Sequence, residues 1–222
     1  MSLKMLVQKH LSNGAADALG QLRFEIRMLI RHRRSVRRAK RLARSVPLKL
    51  NCGCGPIMKP GWINIDARKG VDLQLDLRER LPFPDNSVSF IYSEHFFEHL
   101  EYPGEASNFL TESLRILVPG GQFRVGVPDC EWPLIAYVQD HHPSFQFAQE
   151  RWLPAYCDTK MHCINFLFRQ GREHKYAYDY ETLARILQQN GFVKVEKSEF
   201  DLGLDSEHRR DGTLYVNAFK PT

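Results

Sequence analysis

The stretch that decides the fold is LKLNCGCG, residues 48–55, in which a short run of mainly apolar residues ends in two glycines. Such a run predicts a short buried strand. Gly53 and Gly55 lack a Cβ atom, so the backbone there can come close to a ligand at the carboxyl end of a sheet. A dinucleotide-binding turn needs a third glycine, and that position is Met58. The pattern therefore predicts an α/β sheet with a ligand crevice after its first strand, but not a dinucleotide site.

Strand and helix patterns alternate along the rest of the chain. Amphipathic helices are predicted at 104–117 and 180–191. Strands that alternate with helices imply parallel pairing in a sheet covered on both faces. We therefore expect a seven-stranded, mostly parallel sheet with a C-terminal antiparallel hairpin. Besides the strand at 48–53, the predicted strands are 62–66, 72–76, 87–93, 122–127, 192–198 and 213–219.

The N-terminal part of the chain differs from the remainder in charge. The first 50 residues hold thirteen Lys or Arg and two acidic residues, although the net charge of the whole chain is only +5. Apolar residues recur at spacings of three and four from Leu19 to Leu29, which predicts an amphipathic helix over 19–44. We divide the chain into a basic helical arm, residues 1–46, and a domain, residues 47–222, with a helical insertion at about 130–178.

The predicted arm has an apolar stripe and a basic surface. We expect the stripe to pack on the body or on a second copy, as a homodimer, and the basic side chains to contact an anionic membrane through residues 19–44. The stripe consists of Leu19, Leu22, Ile26 and Leu29. The basic side chains are Arg31, Arg33, Arg34, Arg37, Arg38, Lys40, Arg41 and Arg44.

The composition excludes disordered, collagenous and integral-membrane proteins. Hydrophobic residues at 43% and charged residues at 26% are typical of a folded globular protein. No apolar stretch approaches the 18 to 20 residues that span a bilayer, and no signal peptide is evident. We expect a cytoplasmic protein, peripheral at the inner face of the membrane if the arm binds there. The five cysteines lack the paired spacing of zinc sites, so we expect free thiols and no metal site.

Two aspartates follow the second and third predicted strands. Asp66 can accept both hydroxyls of a ribose, and Asp76 can accept from an exocyclic amine. Leu77 can pack on the face of an adenine ring. Two carboxylates beside a glycine turn suit a nucleoside whose other end need not be a phosphate.

Four sequence motifs follow one another through this region. KLNCGCGP, GWINID, LPFPDNSVSFIYSEHFFEHL and LRILVPGGQFRVGVPD, over roughly residues 48–129, resemble the successive motifs of class I S-adenosylmethionine-dependent methyltransferases. HKYAYDYETLARILQQNGF, residues 174–192, is similar to bacterial members associated with glycan and cell-surface polysaccharide pathways. The resemblance implies a Rossmann-like fold, methyl transfer as the activity and S-adenosylmethionine as the cofactor.

The resemblance also implies a cofactor site. Glycines approach the methionine moiety, one aspartate binds the ribose, the other frames the adenine with a leucine, and residues after the fourth strand lie beneath the sulfonium. Asn51 stands where the family usually has an acidic residue. The implied cofactor-binding residues are Asn51, Gly53, Gly55, Asp66, Asp76, Leu77, Tyr92 and Ser93.

The methyl acceptor is less closely defined. Ser93-Glu94-His95-Phe96 stands where enzymes that methylate base amines have [D/N]PP[Y/F], which argues against that chemistry. A hydroxyl acceptor needs a base, and His95, His162 and His174 are the candidate catalytic residues. We expect transfer to a hydroxyl of a saccharide, lipid-linked glycan or small molecule. The alternatives are an RNA methyltransferase that grips phosphates with the basic arm, and a catalytically silent cofactor-binding protein.

Overall fold

The computed structural model describes residues 12–42, 47–139 and 143–222. Their six strands form one sheet with the order β2-β1-β3-β4-β6-β5. The strands are β1 (Leu48–Cys52), β2 (Ile63–Ile65), β3 (Val88–Glu94), β4 (Leu117–Pro128), β5 (Val193–Ser198) and β6 (Thr213–Phe219). β1 pairs in parallel with β2 and β3, and β3 with β4, whereas β6 is antiparallel to both β4 and β5. The predicted mixed sheet with antiparallel C-terminal strands is confirmed.

Six α-helices accompany these strands in the described residues. They are α1 (Asn13–Leu42), α2 (Gly104–Ile116), α3 (Glu131–Val138), α4 (Pro143–Arg151), α5 (Lys160–Arg169) and α6 (Tyr180–Gln189). Apolar faces of α2 and α6 are buried in the main core with the strands, while α4 and α5 contribute to a second, smaller cluster. No helix among the described residues is long and apolar enough to cross a bilayer. The five cysteines are buried free thiols.

The predicted count of seven strands is wrong for the described part of the chain, because residues 72–76 do not form a strand. This segment makes only a single bridge, between Leu73 and Ile65. Two of its backbone N–H groups donate instead to side chains of α1: Gln74 to Ser35 Oγ at 3.0 Å and Asp76 to His32 Nδ1 at 3.1 Å. Side chains of α1 thus accept hydrogen bonds that a neighbouring strand would otherwise accept.

The face by which α1 contacts the body is not its apolar stripe. The buried residues of α1 are Met28, Ser35 and Ala39, which recur at seven and four and so lie on one side of the helix. Leu22, Ile26 and Leu29, in contrast, are each at least half exposed. Packing of the stripe on the body, one of the two expected arrangements, is therefore wrong. Ser35 and Ala39 are small, and α1 lies close enough to residues 72–78 for Ser35 and His32 to accept hydrogen bonds from them. Arg44 lies outside the described residues.

The glycine turn after β1 forms the floor of the crevice at the carboxyl end of the sheet. Gly53 and Cys54 both donate their N–H groups to the Ile65 carbonyl, at 2.9 and 3.1 Å. Gly53 has φ +68° and Gly55 has φ +53°, a region that favours glycine. A Cβ atom on Gly53 would lie 2.3 Å from Cβ of Phe96, whereas one on Gly55 would meet no atom within 4 Å.

These two glycines make a matched pair for measurement. Alanine at either position incurs the strain of a positive φ, roughly 1–2 kcal/mol. Gly53→Ala must in addition displace the Phe96 side chain, and such overpacking typically costs about 1–3 kcal/mol. We predict that denaturant unfolding without cofactor shows Gly53→Ala to be less stable than Gly55→Ala by about that second amount. Equal losses of unfolding free energy would contradict the close packing of Phe96 on the turn.

Candidate active site

A cavity of about 410 Å³ opens at the carboxyl ends of β1 and β2. Four of the predicted cofactor-binding residues line it: Gly53, Asp66, Asp76 and Leu77. Each follows a strand or, for the last two, the extended segment that takes the place of the predicted third strand. The chain topology therefore brings these four residues to one side of the sheet, as expected for ends of parallel segments.

The other four predicted cofactor-binding residues do not line this cavity. Asn51 is buried and donates from Nδ2 to the Ile57 carbonyl and to Asn64 Oδ1, both at 3.0 Å. These bonds connect the end of β1 to the loop after the glycine turn and to β2. Gly55 holds the turn through its own N–H group. Tyr92 and Ser93 are buried at the end of β3.

Asp66 links the glycine turn to β2. Its Oδ2 accepts the N–H group of Gly55 and its Oδ1 that of Arg68, each at 2.8 Å. A carboxylate oxygen has two lone pairs, so each oxygen retains one for a ligand in the cavity. The two backbone bonds fix the orientation of the carboxylate before any ligand arrives.

Asp76 lies in a charged cluster with Arg78. Oδ1 of Asp76 accepts from Nε of Arg78 at 2.9 Å, and Oδ2 accepts from Nη2 at 2.7 Å. Burial tends to raise the pKa of this carboxyl, but the hydrogen bonds from Arg78 prevail and hold that pKa below its usual value. The same guanidinium binds both carboxylate oxygens of Glu25 on α1, at 3.2 and 2.7 Å. Arg78 therefore ties α1 to the edge of the cavity.

α1 also forms part of the cavity wall. Phe24 and Met28 line the cavity together with the residues at the strand ends, and the Arg31 guanidinium donates to the Ala67 carbonyl at 3.3 Å. The cavity is therefore bounded both by the predicted arm, residues 1–46, and by the predicted domain, residues 47–222. Residues outside the predicted set also line it: Phe96 and His99 after β3, and Lys175 from the segment before α6.

Three histidines surround one buried carboxyl group beside this cavity. Oε1 of Glu98 lies 3.6 Å from Nδ1 of His95, 3.9 Å from Nε2 of His99 and 3.9 Å from Nε2 of His174. We call these four residues the histidine cluster. Burial raises the pKa of the Glu98 carboxyl to about 8, and it lowers the pKa values of all three imidazoles, that of His95 to about 3. At neutral pH the imidazoles are therefore uncharged.

Backbone hydrogen bonds bring the cluster together from distant parts of the chain. Residues Phe97–His99 form a 3₁₀ turn directly after β3, and the carbonyl of Glu98 accepts the N–H groups of Lys175 and Tyr176, at 2.8 and 3.3 Å. His174 is thereby held against Glu98. His95 adopts φ +51°, which is uncommon for a residue other than glycine and marks a strained position at the strand end.

The structure thus groups two of the three predicted catalytic histidines and separates the third. His95 and His174 are members of the histidine cluster. His162 is an exposed residue of α5, and its Nδ1 contacts Oδ1 of Asp158 at 2.7 Å on the helical insertion. His99, which the prediction left out, is the histidine that lines the cavity. Its place in the short segment that directly follows β3 was the available signal, since that segment begins at the carboxyl end of the sheet.

A comparison with protein-family models finds a methyltransferase domain in part of this chain. Residues 36–125, less than half of the chain, match the family model described as "Methyltransferase domain". A search of curated protein sequences gave no match.

Several solved structures are similar to this chain, and three of them show the extent of the likeness. A possible exported protein from Bordetella parapertussis has a TM-score of 0.49 and 15% identity, covering 86% of this chain and 67% of the other. The complex of a Trm112 methyltransferase activator with a putative methyltransferase from Haloferax volcanii gives 0.47 and 18%, covering 86% and 92%. A possible histamine N-methyltransferase from Thermotoga maritima gives 0.47 and 16%, covering 91% and 95%.

The matched residues span the end of α1, the glycine turn, both cavity aspartates and most of β4. The match therefore includes the strand ends that line the cavity. Residues 36–125 thus match a methyltransferase domain, and methyl transfer is the activity that this match indicates.

Proposed function

We propose that the protein transfers the methyl group of S-adenosylmethionine to a hydroxyl of a saccharide, a lipid-linked glycan or a similar small molecule. The observation that carries this proposal is the position of the histidine cluster, one member of which, His99, lines the cavity. A sulfonium methyl group is already activated, so the enzyme must chiefly align the acceptor and, for a hydroxyl, remove its proton.

The proposed place of the cofactor is the 410 Å³ cavity. Its ribose hydroxyls would donate to the free lone pairs of Asp66, and its adenine would pack on Leu77. Arg78 takes most of the hydrogen-bonding capacity of Asp76. Among the described residues, however, Nη2 of Arg78 is the one donor to Oδ2 of that carboxylate, which leaves a lone pair for the adenine amine. The methionine end would then lie beside Gly53 and Phe96, which line the same cavity and pack closely on each other.

The surroundings of the cavity favour a hydroxyl over a base amine as acceptor. The position after β3 carries His95 and Phe96 rather than the Pro-Pro-aromatic sequence of base N-methylation. Neutral imidazoles can accept the proton that a hydroxyl loses on methylation. The histidine cluster, through His99 at the cavity wall, is therefore the proposed destination of that proton.

An acceptor screen tests this proposal. The protein is incubated with isotopically labelled S-adenosylmethionine and, in parallel, with a nucleotide-sugar and glycan extract, a lipid-linked glycan extract and total RNA. We predict label in one of the first two fractions, in a linkage that is stable to alkali, as expected for an ether. Asp66→Ala loses hydrogen bonds to a charged acceptor, each worth roughly 1.5–3 kcal/mol, and should weaken cofactor binding and transfer together.

Two results of the screen would contradict the proposal, and each supports one alternative. Label in RNA alone would identify an RNA methyltransferase. Cofactor binding by calorimetry without transfer to any fraction would identify a silent cofactor-binding protein. Asp85→Ala is the matched control for Asp66→Ala, because Asp85 is an exposed aspartate that pairs with Arg115 and does not line the cavity.

We further propose that α1 holds the protein at an anionic membrane. Leu22, Ile26 and Leu29 stay exposed after α1 has packed on the body. Helical spacing continues this line of residues to Arg33, Arg37 and Lys40, which are also exposed. An apolar stripe that continues into basic residues on one helix face suits the interface of a bilayer with anionic lipids. Peripheral attachment at the inner face of a membrane would follow from it.

Charge removal tests the membrane proposal better than truncation, because deletion of α1 would also remove a wall of the cavity. Each basic residue near such a surface contributes about 1 kcal/mol. We predict that the triple variant Arg33→Gln/Arg37→Gln/Lys40→Gln binds vesicles rich in anionic lipid about a hundredfold more weakly in co-sedimentation at low salt. The control is Arg185→Gln/Lys194→Gln/Lys197→Gln, three exposed basic residues of α6 and β5. Equal binding by both variants would reject this surface.

A further inference from the structure

The innermost members of the histidine cluster are buried polar groups without hydrogen-bond partners. The side chain of Glu98 is 2% exposed and that of His174 is 4% exposed. Within the described residues, neither carboxyl oxygen of Glu98 has a hydrogen-bond partner, and neither has Nε2 of His174. Three such atoms in one place are unusual, since the large majority of buried polar atoms are hydrogen-bonded.

The imidazoles are oriented so that their unprotonated nitrogens face this carboxyl. Nδ1 of His99 contacts the Glu173 carbonyl at 3.1 Å, and Nδ1 of His174 contacts the Leu167 carbonyl at 2.6 Å. A carbonyl oxygen only accepts, so both Nδ1 atoms donate. In a neutral imidazole the other nitrogen then carries a lone pair. Nε2 of His99 and Nε2 of His174 therefore both direct lone pairs at the Glu98 carboxyl.

His95 also directs a lone pair at Glu98, but from Nδ1, because its Nε2 is the nitrogen that donates a hydrogen bond. The hydroxyl of Thr213 donates to the Arg209 carbonyl at 2.6 Å, so the hydroxyl oxygen accepts from Nε2 of His95 at 2.9 Å. Nδ1 of His95 therefore carries its lone pair, 3.6 Å from Oε1 of Glu98. Three imidazole lone pairs thus converge on one carboxyl group, which brings at most one proton. One proton leaves at least two of the lone pairs without a donor.

We propose that Glu98, His99 and His174 bind a divalent transition-metal ion. One ligand atom from each of these three side chains can be chosen so that all lie within 4.8 Å of one another. Imidazole and carboxylate ligands suit Zn²⁺ and its neighbours Co²⁺, Ni²⁺ and Fe²⁺. Metal–ligand bonds of about 2.0–2.2 Å in a tetrahedral site put ligand atoms roughly 3.3–3.6 Å apart. The separations of 3.9 Å from Oε1 of Glu98 to the two Nε2 atoms need only small side-chain rotations to reach this.

The surroundings match what metal-binding histidines need. Each ligand histidine donates its second ring nitrogen to a backbone carbonyl, which fixes the tautomer and the ring orientation as in known metal sites. His95 supplies a further lone pair next to the same carboxylate oxygen. The candidates that the sequence offers for a metal site are Cys52 with Cys54 and the set Cys157, His162 and Cys163, and none of these belongs to the group Glu98, His99 and His174.

A bound ion would adjoin the proposed methyl-transfer site, because His99 lines the cavity. The chemistry that such an ion supplies is a lower pKa for a coordinated hydroxyl or water. That role rests on the proposed function, whereas metal binding itself does not.

Cobalt titration of the metal-free protein tests the proposal. The full chain, purified without a histidine tag and dialysed against chelator, is titrated with Co²⁺ in the absence of cofactor and acceptor. We predict saturation at one equivalent, with visible d–d absorption from nitrogen and oxygen ligands, and displacement by Zn²⁺. His174→Gln should weaken the affinity about 100-fold or more, because it removes one of the three ligands.

Matched variants identify which side chains hold the ion. Glu98→Gln keeps the shape of the buried side chain and should also weaken Co²⁺ binding. The Co²⁺ affinity of this variant tests the site even if His174→Gln does not fold. His208→Gln, an exposed histidine outside the cluster, should leave binding unchanged. No Co²⁺ binding by the unaltered protein, equal affinity in the folded cluster variants, or a comparable loss in His208→Gln would each overturn the proposal. None of these readings requires methyl transfer, so failure of the proposed function would be seen separately.

Discussion

The backbone N–H groups of Gln74 and Asp76 determine how α1 packs against the rest of the described chain. Their acceptors are Ser35 and His32 of α1, not a neighbouring strand. Because buried backbone donors must be satisfied, this segment and α1 depend on each other. The guanidinium of Arg78 strengthens the contact by binding both Asp76 and Glu25. With α1 held there, the crevice at the strand ends becomes a walled cavity.

A second constraint acts on the opposite wall of the cavity. The 3₁₀ turn after β3 is hydrogen-bonded to the segment that carries His174, so Glu98 is buried among imidazoles. Burial disfavours the charged form of every group in this set, which is why the pKa of Glu98 is raised to about 8 and those of the imidazoles are lowered. The tautomers of the three imidazoles also direct more lone pairs at Glu98 than there are protons to satisfy them, and the proposed metal site follows from that shortage.

The sequence was informative wherever a local pattern determines structure. The glycines at 53 and 55, the two aspartates and Leu77 follow from strand-and-turn patterns, and four of these five residues line the cavity. The face of α1 could not be predicted in this way. Its apolar spacing indicated Leu22, Ile26 and Leu29, whereas its docking is decided by hydrogen bonds to residues more than 35 positions away along the chain. The meeting of His174 with Glu98 is equally non-local, so no spacing rule joins them.

Placement of the cofactor between α1 and the strand ends is the point on which the proposed chemistry depends. Calorimetric titration of S-adenosylmethionine into Phe24→Ala and Leu22→Ala tests it most directly, because both residues are half-exposed on α1 but only Phe24 lines the cavity. Loss of apolar contact with the ligand should weaken binding to Phe24→Ala by roughly tenfold, the effect of about 1–2 kcal/mol of buried side-chain surface. Leu22→Ala should bind as the unaltered protein does. Unchanged affinity in both variants would contradict this placement, since α1 would then not be a wall of the cofactor site.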